Sequence, residues 1–162
     1  MIGLNGTPHY SLHRDMPMTT AVIHESQRLS SVVGLNIPRQ TAEEVDIGGH
    51  RIPKNTMVLM NFYEMNRSPD LWTEPDKFQP ERFINSEGKF EKPPHFIPFS
   101  TGKRSCPGES LAIVEIFLYL VSFLSKFNLK PAPNQILTEE CKVELSVKPK
   151  YNPIVLFEPR SA

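Results

Sequence analysis

The chain has 162 residues, 39% of them hydrophobic, with 18 basic and 18 acidic side chains in balance. That length suits one globular unit with its own core, the composition excludes a disordered chain, and the absent net charge gives no electrostatic footprint for a nucleic-acid partner. Sixteen prolines are about twice the ordinary usage of roughly 5%, so much of the backbone is expected to be irregular.

Residues 1 to 15 combine Gly3, Gly6 and Pro8 with few periodic apolar positions and read as a loop. From Pro17, favourable in a first turn, the spacing of Ala21, Val22, Glu25, Arg28 and Leu29 suits a helix ending before Val32, Val33 and Gly34. Val45 and Ile47 alternate toward Gly48-Gly49, and His50-Arg51-Ile52 follows, which predicts a two-residue hairpin. Pro53 to Thr56 turns the chain, and Met57 to Phe62 is apolar enough for a further strand. From Ser68 to Pro98 there are six prolines and no sustained period of 2 or 3.6, which predicts an ordered but irregular meander.

Ser110 to Lys126 is apolar almost all round and predicts a helix buried on most sides. Its most apolar part, Leu111 to Leu124, is shorter than the roughly 18 to 20 residues that span a bilayer, and it carries Glu115. The runs Val143 to Val147 and Ile154 to Phe157, set among Pro149, Pro153 and Pro159, suit short edge strands. Cys106 and Cys141 lack the close, even spacing of a secreted disulfide scaffold and follow no signal peptide, so a reducing compartment is expected.

The chemistry concentrates in Phe99-Ser100-Thr101-Gly102-Lys103-Arg104-Ser105-Cys106-Pro107-Gly108-Glu109, between the meander and the apolar helix. A cysteine just ahead of a helix meets backbone N–H groups and the positive end of the dipole, which with Arg104 favour thiolate over thiol. Cys106 is therefore a candidate metal ligand or nucleophile. Gly102 and Gly108 allow sharp turns and close approach to a flat group, and Phe99 offers a ring to pack on one. A zinc site would need further ligands at close spacing, and Cys141 is too isolated to be one. A cysteine hydrolase would need a histidine partner, for which His24, His50 and His95 are formal candidates. A lone cysteine beside a helix is otherwise a small buried hydrophobe.

Phe99, Gly102, Arg104, Cys106 and Gly108 match the F-x-x-G-x-R-x-C-x-G heme-thiolate signature at every fixed position, and the chain resembles the cytochrome P-450 family. A match of this kind arises by chance with probability on the order of 10⁻⁵. Glu25-x-x-Arg28 occurs by chance in roughly half of chains this long. Its place about eighty residues before the cysteine loop resembles the family's helix of that pattern, and Arg82 in Pro80-Glu81-Arg82-Phe83 matches its third partner.

The resemblance, closest to the animal microsomal branch, implies an α+β fold, mainly α with small β-sheets, and a single partial domain over residues 1–162. It implies heme (iron protoporphyrin IX) as cofactor, Cys106 as the iron ligand, and Phe99, Gly102, Arg104, Gly108 and Arg39 as heme-binding, the two arginines facing the propionates. Glu25, Arg28 and Arg82 would form a structural ion cluster. Val33, Leu35, Asn36 and Ile37 fall where the family contacts substrate, and Leu145 and Val147 where a second contact lies. Both groups read equally as core or strand residues.

The implied activity is insertion of one oxygen atom from O2 into a small lipophilic substrate, driven by the electron-donating thiolate. An NADPH-dependent flavoprotein reductase would supply electrons, docking near Lys103. The implied location is the cytoplasmic face of the endoplasmic reticulum membrane, reached through an N-terminal part not found here. The family's distal acid-threonine helix likewise has no counterpart, so the chain is expected to be a C-terminal portion, with a non-catalytic heme-binding or interaction role as the alternative.

Overall fold

The computed structural model describes residues 6–135, 140–143 and 147–160. The architecture mixes helices with small antiparallel sheets, held by two apolar clusters on opposite sides of one helix. That helix, α1 (Pro17–Ser30), starts at a proline, whose missing N–H is no loss in a first turn, and stops at Ser31, which turns left-handed at φ 38°. One face buries Ala21 with Trp72, Phe83 and Phe96, and the other buries Ile23 with Phe117 and Val121.

Before α1, the expected loop closes into a 3-10 helix at Tyr10–Asp15, begun by His9, whose Nδ1 accepts the Ser11 N–H. Tyr10 stacks on His13 and meets Phe117 edge-on, an aromatic contact with no sequence period to announce it.

Strands β1 (Arg39–Gln40), β2 (Val45–Ile47), β3 (His50–Ile52) and β4 (Met57–Val58) form two short ladders, β1 with β4 and β2 with β3. The β2–β3 turn is Gly48-Gly49 at φ 61° and 83°, the left-handed pair that such a hairpin requires. The strand expected over Met57 to Phe62 stops at Val58, because Asn61 instead caps α2 (Phe62–Met65), its Oδ1 accepting the Glu64 N–H at 3.1 Å. The Phe62 ring is buried there, so burial by a helical turn replaces alternation along a strand.

The meander is irregular as its prolines dictate, with a 3-10 turn at Pro80–Phe83 and an isolated bridge between Ile84 and Phe90. It packs its rings, Trp72, Phe83 and Phe96, against Ala21 of α1. The final helix, α3 (Glu109–Lys126), corrects an expectation: only Phe117 and Val121 are buried, while Leu111, Ile116, Tyr119, Phe123 and Leu124 are exposed. An apolar surface all round measures what a helix is able to bury, whereas burial needs neighbours, and the described residues cover one side.

After α3, β5 (Phe127–Pro131) pairs with β8 (Val155–Pro159), a strand the sequence pattern did not mark before its partner. The ends of the Val143 to Val147 run fall in β6 (Cys141–Val143) and β7 (Val147–Pro149), which pair antiparallel. Leu145 lies outside the described residues. Among the described residues no helix is long and apolar enough to cross a membrane.

Candidate functional site

The residues from Phe99 to Cys106 form a closed loop whose neck is one hydrogen bond, the Cys106 N–H donating to the Phe99 carbonyl at 2.8 Å. Two left-handed residues make the bend, Ser100 at φ 68° and Gly102 at φ 72°. Gly102 is the residue this conformation favours, and it opens a 3-10 turn, Gly102–Arg104, closed by the Ser105 N–H on its carbonyl at 3.1 Å. Ser100 is held in its unfavourable region by two donors from outside the loop. Arg39 Nη2 donates to its Oγ at 3.0 Å and Asn36 Nδ2 at 3.4 Å, and the same Arg39 nitrogen reaches the Arg104 carbonyl at 3.2 Å.

The loop delivers Cys106 as an exposed thiol just ahead of α3. At Gly108, the residue before that helix, a side-chain carbon would lie 3.8 Å from the Cys106 sulfur, so glycine keeps one flank of the sulfur bare. Phe99 is half-buried, and Arg104 is exposed, with its carbonyl rather than its guanidinium engaged by Arg39. Val33, Leu35 and Ile37 are exposed apolar side chains on the segment that Asn36 ties to the loop. Among the described residues no hydrogen bond joins the Cys106 sulfur to a histidine and no cluster of His, Cys, Asp and Glu suits a metal ion. A cavity of about 530 Å³ beside Trp72, Arg82 and His95 and another of about 450 Å³ beside Arg67 and Phe78 both lie away from Cys106.

Beneath the meander, Glu25 and Arg28 are fully buried and Arg82 nearly so. Arg28 grips Glu25 through Nε to Oε2 at 2.7 Å and Nη2 to Oε1 at 2.9 Å, then spends its other donors on the carbonyls of Asn66, Pro75 and Lys77. Glu25 Oε1 also accepts the Gln79 N–H at 2.8 Å and Arg82 Nε at 3.1 Å. Arg28 and Arg82 both lie over the Trp72 ring, at 5.2 and 5.7 Å from its centre. Burial alone pushes the Glu25 carboxyl up, but the Arg28 hydrogen bond, the Gln79 N–H and the two arginine charges outweigh it and hold it below the ordinary value. A buried ion group with all its hydrogen bonds made is the stable form of such a cluster.

Sequence reasoning named Arg39 by its alignment but missed Ser100, to which Arg39 donates, and Trp72, whose ring both arginines of the cluster lie over. Trp72 falls in the stretch expected to be an irregular meander, with no period to mark it as core, and the fold shows it buried. His24, considered as a hydrolase base, is instead buried among the rings of Phe83, Phe90 and Phe96, with its Nδ1–H donated to the Thr20 carbonyl at 2.8 Å.

The site is thus an exposed cysteine on a glycine-bent loop before a helix, and apart from it a buried carboxylate and two arginines tie α1 to the meander. The sequence model of the Cytochrome P-450 family matches residues 1–157. The chain is 39% identical over 149 residues to cytochrome P-450 2J3 of Rattus norvegicus and 38% identical to cytochrome P-450 2J2 of Homo sapiens, in each case over 92% of this chain and 30% of the relative. To cytochrome P-450 2U1 of Bos taurus it is 40% identical, over 96% of this chain and 29% of the relative. The chain belongs to the cytochrome P-450 family and spans about 30% of the length of these relatives.

The family implies heme, and the residues present fit it. A bare sulfur sits at the helix entrance, glycine leaves its flank open, two arginines lie at the loop, and exposed apolar side chains stand beside it.

Proposed function

We propose that this chain is the heme-ligating portion of a monooxygenase that inserts one oxygen atom from O2 into a small lipophilic substrate. The observation that carries the reading is the Cys106 loop, with its neck bond from Cys106 N–H to the Phe99 carbonyl and its bare sulfur beside Gly108. Cys106 is the metal ligand. Phe99, Gly102 and Gly108 line the face of the flat group, and Arg39 and Arg104 pair with its carboxylates. Heme, when bound, supplies the activation of O2 and the one-electron chemistry.

The chain's own task is to hold the sulfur still. The Phe99–Cys106 hydrogen bond and the Arg39 and Asn36 bonds to Ser100 fix the loop. The Glu25, Arg28 and Arg82 cluster fastens the meander to α1 and so supports the loop from below. Val33, Leu35, Asn36 and Ile37 form the wall that meets an apolar substrate. Electrons come from an NADPH-dependent flavoprotein reductase near Lys103, and the whole protein works at the cytoplasmic face of the endoplasmic reticulum membrane. The exposed apolar side of α3 supports a second reading, a non-catalytic heme-binding or interaction portion.

The test is the absorption spectrum of the purified chain after heme is added, reduced and exposed to carbon monoxide. A strongly red-shifted Soret band that vanishes in Cys106→Ser is expected. A spectrum of free or histidine-bound heme in the unaltered chain would overturn the assignment of Cys106.

A further inference from the structure

We propose that His24 is a positioning residue that fixes both ends of the Cys106 loop against α1, and that it does so only as the uncharged imidazole. Its ring centre lies 5.9, 4.5 and 5.9 Å from those of Phe83, Phe90 and Phe96. Phe96, fully buried, leads directly into Ile97, Pro98 and the loop neck at Phe99. Lys92 lies over the Phe96 ring at 5.9 Å and reaches Glu109, the first residue of α3, at 3.5 Å. The segment entering the loop therefore packs on His24 through Phe96, and Lys92 ties that segment to the first residue of the helix that leaves the loop.

The Nδ1–H is committed to the Thr20 carbonyl, so a second proton would go on Nε2, beside the rings of Phe83, Phe90 and Phe96. The surrounding charges do little to welcome it. Glu25 and Arg28 on α1 satisfy each other, and Arg82 beside Phe83 is turned to Glu25. His13 contributes its carbonyl to Thr20 rather than a charge to His24. Lys92 opposes protonation and Glu109 favours it, from the two ends of the loop. Burial is the largest influence and lowers the His24 pKa below its ordinary 6.5, the Thr20 bond partly countering it. Imidazolium here would sit beside Lys92 among phenyl rings, and relief comes by parting Phe90 and Phe96 from α1.

The consequence is a loop held firmly above the histidine titration and released below it. This reading of the loop's placement stands without heme; only its consequence for heme loading rests on the Cys106 assignment. Trp72, the only tryptophan, touches Phe83 and Phe96 and so reports the cluster. His95 also meets Trp72, at 4.6 Å, and has to be separated from His24.

The experiment follows Trp72 fluorescence and the histidine ring resonances of the full chain from pH 8 downward. The comparison set is the unaltered chain, His95→Gln, His24→Phe and His24→Gln. A Trp72 transition that coincides with His24 titration below 6.5 is expected, retained in His95→Gln and lost in both His24 variants. Glutamine keeps a donor for Thr20 without ever carrying charge, so it answers should phenylalanine fail to fold. A His24 resonance that titrates at or above 6.5 in the unaltered chain would overturn the proposal, as would a transition that survives in His24→Gln. Where heme loads, the thiolate spectrum is expected to be lost over the same pH range; a heme-free chain with the Trp72 transition intact would count against Cys106 alone.

Discussion

Replacing Glu25 by Gln leaves the shape of the buried cluster and removes its charge. The amide oxygen is able to keep the Gln79 and Arg82 donors, but the amide nitrogen then faces Arg28 Nε–H, donor against donor, where a 2.7 Å bond stood. Arg28 and Arg82 also lose their common anion, with Arg28 fully buried. Breaking a buried pair by removing one partner costs about 3–5 kcal/mol, a large part of the roughly 5–15 kcal/mol that holds a domain folded. Glu44, paired with Arg51 at 2.6 Å on an exposed hairpin, is the internal control, and Glu44→Gln is expected to cost no more than about 0.5–1 kcal/mol. Urea unfolding followed by Trp72 emission reads both, as a shift in midpoint at unchanged slope. A loss below about 1 kcal/mol for Glu25→Gln would refute the view that this cluster fastens the meander to α1.

Two of the depressed groups, Glu25 and His24, are buried in the core, and the pH dependence of stability is worked from them. Glu25 is held below its ordinary 4.5, so its contribution is present above the unfolded value and is lost as pH falls through the folded one; His24, held below 6.5, has the same sign at higher pH. Acid unfolding measured between pH 7 and 2 is expected to show a His24-dependent decline first and a Glu25-dependent one later, and a single step insensitive to His24→Gln would contradict this. Arg39→Ala removes both bonds to the loop, each worth about 0.5–3 kcal/mol depending on charge, so hydrogen exchange of the loop amides should accelerate while α1 stays protected. Phe117→Ala is expected to cost about 3–5 kcal/mol and Tyr119→Ala less than about 0.5, because the first is buried and the second is 65% exposed. Equal losses in thermal or urea unfolding would mean that α3 packs on both sides.

The sequence by itself determined the parts that depend on local chemistry or fixed spacing. Gly48-Gly49 could serve only a left-handed turn, Pro17 suited a helix start, and Phe99, Gly102, Arg104, Cys106 and Gly108 stood at intervals that chance rarely produces. Glu25 and Arg28 were legible as helix neighbours because three residues is nearly one turn. Tertiary structure alone decided which of these groups met and which faces were covered. That Arg82 shares the Glu25 carboxylate, that Arg39 holds Ser100, and that Arg28 lies over the Trp72 ring are contacts across tens of residues with no period to reveal them. The same holds for α3, whose hydrophobicity promised burial on all sides, whereas Tyr10, Ile23 and their neighbours cover one side. Local sequence fixes what a residue is able to bury or donate; what it does bury or donate depends on partners that the folded chain brings to it.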